Sequence, residues 1–291
     1  MNNNMNANII SSSQNPRVKR LLVLQQKSSE RRRTGLFVVE GRRELGQCIA
    51  SGLEVAEVFC CPQLCQEPLP VHGGQTFEVT PAVYERIAYR GSTEGVVAVV
   101  KQRNLSLSDL TAHGDLQSPH TAQGDLQSPH TAQGDLQSPH SSPLIVVLES
   151  VEKPGNLGAV LRSADAAGAT AVIVCDPLTD LYNPNLIRAS LGAFFCVPVV
   201  ACTSEECIRF LKDNGIAILT AQLQDSSLYY DTDMRGPVAI VMGTEAEGLT
   251  QQWRDAADKH IRIPMLGRVD SLNVSVSAAI LLFEAVRQRQ G

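Results

Sequence analysis

From residue 144 onward, short apolar, β-branched runs alternate with longer stretches of helical periodicity. The runs fall at 144–148, 171–175, 196–200, 216–220, 238–242 and 261–263, and the helical stretches at 157–167, 185–191, 204–213 and 272–287. Strands this uniformly apolar predict a parallel sheet covered on both faces, and such sheets bind ligands at the carboxyl ends of their strands. The first hundred residues predict a smaller α/β unit. Asn15-Pro16 reads as cap and first turn of a helix over 16–26, followed by strands at 36–39, 55–60, 76–79 and 95–100 and helices at 42–51 and 81–88.

Between the two lies a stretch with neither period. Residues 111–140 are three copies of T-A-(H/Q)-G-D-L-Q-S-P-H, each with one large apolar residue. Such a sequence buries too little to offset its ordering, and Leu116, Leu126 and Leu136 are too few for a solenoid. The expected organisation is therefore a domain at 1–103, a flexible linker at 104–143 and a second domain at 144–291.

The last stretch is the densest in signals. Ile261 and Ile263 flank Arg262 as in a half-buried strand, Pro264 ends it, and a polar loop with Gly267, Arg268 and Asp270 follows. Ser271 reads as the N-cap of a helix so apolar all round that burial of most of its circumference is expected. The loop is either a site held between rigid elements or the connection to a docking helix.

Composition narrows the class. With 43% hydrophobic and 19% charged residues the chain reads as globular, and no apolar run is long enough to cross a membrane. The opening residues lack the layout of a signal peptide, and eight scattered cysteines fit reduced thiols, so a cytoplasmic location is expected. Cys60, Cys61 and Cys65 cluster without a second Cys pair or a His pair, so no metal is expected. Residues 1–45 carry 9 basic groups against 3 acidic in a chain of net charge −5. That segment is either a polyanion contact, with Lys19 and Arg31, Arg32 and Arg33 touching phosphates, or a solvated helix face.

Two further polar loops follow predicted strands. E-S-V-E-K-P-G-N-L-G-A-V-L-R spans Glu149 to Arg162, with Asn156 placed to cap a helix from Leu157. M-G-T-E-A-E-G-L spans Met242 to Leu249, where Gly243 and Gly248 allow close backbone approach around Glu245. Glycine fingerprints for dinucleotides and nucleoside triphosphates are absent, as is G-x-S-x-G.

In this order the motifs resemble those of the SpoU (TrmH) family of RNA ribose 2′-O-methyltransferases. Asn156, Gly158 and Arg162 match its first motif, and Gly243, Glu245, Gly248 and Leu249 its second. Ile263-Pro264-Met265 with Ser271-Leu272-Asn273-Val274-Ser275 match its third. S-x-x-N-P-x-V-K and F-x-V-E-G within residues 8–103 resemble the substrate-binding domain of rRNA-directed members, which is similar to a ribosomal RNA-binding protein. The linker of family members is usually shorter.

The resemblance implies a C-terminal α/β knot with a mainly parallel, trefoil-knotted sheet, S-adenosylmethionine as methyl donor and a homodimer. It implies cofactor contacts at Gly243, Ile263, Met265 and Leu272, and catalytic roles for Arg162, Asn156, Glu245, Ser271 and Asn273. A guanidinium with a pKa above about 12 is a poor base. Arg162 is therefore expected to clamp the phosphate beside the target ribose, with Asn156 orienting it or the ribose and Glu245 fixing the guanidinium. The implied substrate is structured RNA, 23S rRNA first and tRNA as the alternative. A non-catalytic RNA-binding protein on the same scaffold is the rival from another class.

Overall fold

The computed structural model describes residues 9–65, 73–89, 94–111, 142–244, 247–268 and 270–290. All but the first residue of the repeats at 111–140, and Glu245, lie outside the described residues. The chain divides into two compact units, Met1–Arg103 with Asp180–Phe195, and Asn104–Thr179 with Cys196–Gly291. Asp180–Phe195, expected inside the second domain, thus packs with the first.

The strands in chain order are β1 (Ile9–Ile10), β2 (Leu36–Glu40), β3 (Val55–Cys60), β4 (Gln75–Val79), β5 (Val96–Lys101), β6 (Leu144–Glu149), β7 (Ala171–Cys175), β8 (Val199–Cys202), β9 (Ala217–Ala221), β10 (Ser227–Leu228), β11 (Val238–Met242) and β12 (Lys259–Arg262). The helices are α1 (Pro16–Gln26), α2 (Ser28–Thr34), α3 (Arg42–Ala50), α4 (Pro81–Ile87), α5 (Leu107–Thr111), α6 (Pro154–Ala166), α7 (Pro184–Ser190), α8 (Ala193–Cys196), α9 (Ser204–Asp213), α10 (Gln251–Ala256) and α11 (Val274–Gln290).

In the first unit a mixed sheet runs β1-β4-β3-β5-β2. Val18, Leu21 and Leu24 of α1 and Val83, Tyr84 and Ile87 of α4 pack with Phe59, Phe77, Val97 and Val99 of the sheet. Asn15 caps α1, its side chain accepting from Arg17 N, and Pro16 begins the helix. α2, missed by the sequence reading, is stopped by Gly35 at φ 64°. It buries Arg31, only 2% exposed. The Arg31 guanidinium donates to the Leu24 carbonyl at 2.5 Å and pairs with Asp180 at 2.6 Å. Arg31 is therefore a packing residue and not the phosphate contact its neighbours suggested. Arg17 and Arg20 share Glu57, and Arg33 pairs with Glu30. Lys19 and Arg32 are exposed and, among the described residues, have no ion-pair partner.

The second unit holds a seven-stranded sheet in the order β10-β12-β9-β11-β6-β7-β8, parallel throughout. Ile145, Val147, Ile173, Ala239 and Val241 face α9 and α10, where Leu211 and Trp253 complete a core. The alternating residues Leu144, Val146, Val172, Val174 and Ile240 are equally buried, on the face where α6 and α11 lie against β7 and β11 and against each other. The strand expected at 196–200 starts at Val199 instead, because α8 occupies Ala193–Cys196 and Pro198 has no N–H to give a ladder.

α11 is less enclosed than its apolar sequence suggests. It buries Ala278, Leu281, Leu282 and Ala285 but leaves Val276 and Phe283 each 47% exposed. Its far end is fixed by Arg289, whose guanidinium donates to the carbonyls of Ser142, Pro143, Met234 and Gly236 at 2.6 to 3.1 Å. Burial lowers the Arg289 pKa to about 10.

Candidate active site

The site forms where β6 and β11, neighbours in register, release their chains at the carboxyl edge. β6 ends in Glu149, 2% exposed. Ser150 then takes φ 53°, a left-handed conformation that non-glycine residues seldom adopt, and donates its N–H to the Cys175 carbonyl at 2.9 Å. The chain turns at once into α6, which begins at Pro154, three residues earlier than expected. Proline has no N–H to leave unsatisfied and a φ already helical, so it supplies the start that Asn156 was expected to cap.

Freed from capping, Asn156 points its side chain across to the start of α11. Asn273 Nδ2 donates to Asn156 Oδ1 at 3.2 Å. Asn273 also caps α11, its Oδ1 accepting from Ser275 N at 3.0 Å and from Ser275 Oγ at 2.6 Å. The cap expected at Ser271 is therefore two residues later, and Ser271 Oγ donates to Asp270 in the preceding loop. Leu272 is exposed just before the helix.

After β11 the backbone folds on itself. Thr244 N donates to the Gly248 carbonyl and Gly248 N to the Thr244 carbonyl, both at 3.1 Å. A Cβ on Gly243 would lie 2.1 Å from that Gly248 oxygen, so only glycine fits there. Past this loop Thr250 is held by Glu149, which accepts from Thr250 N at 2.9 Å and from Thr250 Oγ1 at 2.6 Å. Glu149 therefore ties the end of β6 to the chain after β11. The sequence reading placed no role on it, although a lone carboxylate closing an apolar strand marks a buried polar contact.

A cavity of about 370 Å³ opens between these loops, lined by Ser150, Lys153, Asn156, Gly243, Thr244 and Val274 among others. Asn156 and Gly243 are thus brought together, with Asn273 bonded to one of them. Ile263 and Met265 follow β12 half-buried and Leu266 stands 96% exposed, and none of the three lines this cavity. Arg162 is exposed on α6 and makes no hydrogen bond or ion pair among the described residues. Six residues along a helix place it roughly 120° around the axis from Asn156, so Asn156 does not orient it directly. The expected pairing of Glu245 with Arg162 lies outside the described residues.

A family model described as the SpoU rRNA Methylase family matches residues 143–283, and one described as an MRM3-like substrate binding domain matches residues 15–98. A crystal structure of an RNA 2′-O ribose methyltransferase superposes with a TM-score of 0.74 at 35% identity, covering 97% of this chain and all of that one, 100%. The chain belongs to the SpoU family. An AdoMet-bound rRNA methyltransferase from Sinorhizobium meliloti superposes with a TM-score of 0.79 at 29% identity, covering 96% of this chain and 97% of that one. Among curated relatives, the 23S rRNA (guanosine-2′-O-)-methyltransferase RlmB of Xanthomonas axonopodis pv. citri (strain 306) is 42% identical over 149 residues, 51% of this chain and 60% of that protein. The matched region thus spans about three fifths of the relative's length. The architecture is the α/β-knot class of the SpoU family, a C-terminal parallel-sheet unit with a smaller α/β unit before it.

Proposed function

We propose that this SpoU-family chain transfers a methyl group from S-adenosylmethionine to a ribose 2′-hydroxyl of structured RNA, 23S rRNA being the substrate. The observation that carries the reading is the cavity at the carboxyl edge of β6 and β11, where the first-motif Asn156 is bonded to the third-motif Asn273 beside the second-motif Gly243. Its volume lies in the range of small-molecule sites, and Gly243 lines it at the loop whose close backbone approach admits only glycine. Gly243 and Val274 in its lining offer S-adenosylmethionine backbone and apolar contacts, and Ile263, Met265 and Leu272, which lie outside that lining, add to them from the chain between β12 and α11. When bound, that molecule supplies an activated methyl on a sulfonium.

The protein's part is placement and charge. Arg162, exposed and without a hydrogen-bond or ion-pair partner among the described residues, is available to a phosphate beside the target ribose and stabilises the alkoxide as it forms. Asn156, held by Asn273, presents its amide to the ribose, and the phosphate or a water accepts the proton. Lys19 and Arg32 on the first unit contact RNA phosphates. The half-exposed Val276 and Phe283 of α11 form the contact between two copies in a homodimer. Among the described residues no helix is long and apolar enough to cross a membrane, in keeping with action in the cytoplasm.

Ribose-methylation mapping of rRNA and tRNA from cells with and without the protein tests the proposal. Loss of one 2′-O-methyl in 23S rRNA is expected. Loss at a tRNA position would keep the chemistry and refute the substrate, and unchanged methylation in both RNAs would favour a non-catalytic binding protein.

A further inference from the structure

Eight free cysteines look scattered in sequence, but the fold of the second unit gathers three of them. The Sγ atoms of Cys175, Cys202 and Cys207 all lie within 4.8 Å of one another. Cys175 closes β7 and Cys202 closes β8, and the two are register partners in adjacent parallel strands, so their side chains leave the sheet on the same face. Cys207 reaches down from the first turns of α9, the helix that covers that face.

We propose that these three thiols are a binding site for a thiophilic divalent cation, zinc(II), with a solvent molecule as fourth ligand. A tetrahedral zinc–thiolate centre has bonds of about 2.3 Å, which sets its sulfurs about 3.8 Å apart. The three sulfurs, all within 4.8 Å of one another, already lie within about 1 Å of that spacing. Cys175 and Cys207 are buried and Cys202 is half-buried, so the open coordination position faces solvent on the Cys202 side. Binding releases three thiol protons and leaves a centre of net charge −1. A monovalent thiophilic ion would leave −2 close to the carboxylates of Glu149 and Asp176, which favours the divalent ion.

The surroundings hold the ligands in place. Asp176 N donates to the Cys202 carbonyl at 2.9 Å, and Asp176 Oδ2 accepts from Ser204 N at 3.1 Å and Ser204 Oγ at 2.6 Å. Ser204 Oγ in turn accepts from Trp253 Nε1 at 3.0 Å. Both strand ends and the start of α9 are therefore fixed by outer contacts of the kind that orient metal ligands. The site is separate from the cavity at β6 and β11, and it stands whether or not the chain is a methyltransferase.

The test uses the full-length protein, stripped of metal and kept reduced with a phosphine, titrated with cobalt(II) as a spectroscopic probe and then with zinc(II). About one equivalent of cobalt with tetrahedral thiolate absorption, displaced by zinc, is expected. A Cys60→Ser, Cys61→Ser, Cys65→Ser triple variant should keep that signal. Cys202→Ser should weaken binding by more than the roughly 10–100-fold that loss of an outer partner costs. Absence of stoichiometric cobalt binding in the unsubstituted protein overturns the proposal and leaves the three thiols as core packing. A signal that follows Cys60, Cys61 and Cys65 instead overturns it equally, by placing the metal in the first unit.

Discussion

Asn273 performs two tasks with different atoms, and two substitutions separate them. Its Oδ1 accepts from Ser275 N and Oγ at the start of α11, while its Nδ2 donates to Asn156 Oδ1. Asn273→Ala loses both. Removing an Asn cap costs about 1 kcal/mol, within a range of roughly 0.5 to 2. In a domain of this size that lowers Tm by about 2–4 °C. Asn273→Asp keeps the acceptor and sets a negative charge at a helix N-terminus, worth about 0.3–1 kcal/mol in its favour. Stability should therefore stay at or slightly above the unsubstituted level. A carboxylate has no proton to give Asn156, however, so the Asn156 amide turns over and presents its oxygen to the cavity where its nitrogen stood. If that amide bonds the ribose, about one hydrogen bond of 0.5–1.5 kcal/mol is lost from the transition state, a roughly two- to tenfold fall in kcat/KM. Thermal unfolding gives the first quantity and transfer of labelled methyl to an rRNA fragment the second. An Asn273→Asp protein as active as the original would refute the role given to Asn156, and an equal Tm loss in both variants would refute the cap.

Other residues give sharper or coarser tests. Gly243→Ala sets a Cβ 2.1 Å from a backbone oxygen, so the 243–248 loop must move, at a cost of about 1–3 kcal/mol; urea unfolding and S-adenosylmethionine affinity should both weaken, and unchanged values count against the close approach. Arg162→Lys should leave stability within about 0.5 kcal/mol yet lower the methyl-transfer rate roughly tenfold, the worth of about 1.4 kcal/mol, whereas a full rate would exclude a bidentate clamp. Arg31→Ala strands Asp180 and should cost about 3–5 kcal/mol. Arg32→Ala should leave unfolding unchanged and reduce the salt slope of RNA binding by about 1, and the reverse pattern would restore Arg31 as the phosphate contact. Phe283→Asp should shift sedimentation toward the monomer, and an unaltered sedimentation coefficient would place the dimer contact elsewhere.

What was legible in the sequence was whatever depends on local periodicity. Strands such as Val238–Met242 are apolar at every position and bounded by turn residues, so their limits could be read directly. Asn15-Pro16 announced its helix because cap and first turn are adjacent in sequence. The same logic misled at Asn156, where Pro154 starts the helix and the asparagine side chain is spent on a partner more than a hundred positions away. Arg31 was misread for the same reason. A run of three arginines carries no mark of which one faces inward, and contacts made in the fold, to Asp180 and to the Leu24 carbonyl, decide it. The three cysteines of β7, β8 and α9 looked dispersed because strand pairing, not spacing, brings them together.

The candidate site is accordingly a junction of distant segments, each fixed by one or two directed contacts. Glu149 ties β6 to Thr250, the Thr244–Gly248 bonds close the loop after β11, and Asn156 binds Asn273. The third tie depends on where α11 lies, because Asn273 is its cap. Seventeen residues at about 1.5 Å each make α11 roughly 25 Å long. At its other end Arg289 is enclosed by four carbonyl oxygens with no carboxylate among these contacts. A helix pinned at both ends cannot slide along its axis without breaking one set of bonds. The Arg289 contacts thereby hold the register of Asn273 against Asn156 through the length of a rigid element. The terminal helix of the second unit is thus part of the site's framework, and the geometry at Asn156 depends on bonds made more than twenty ångströms away.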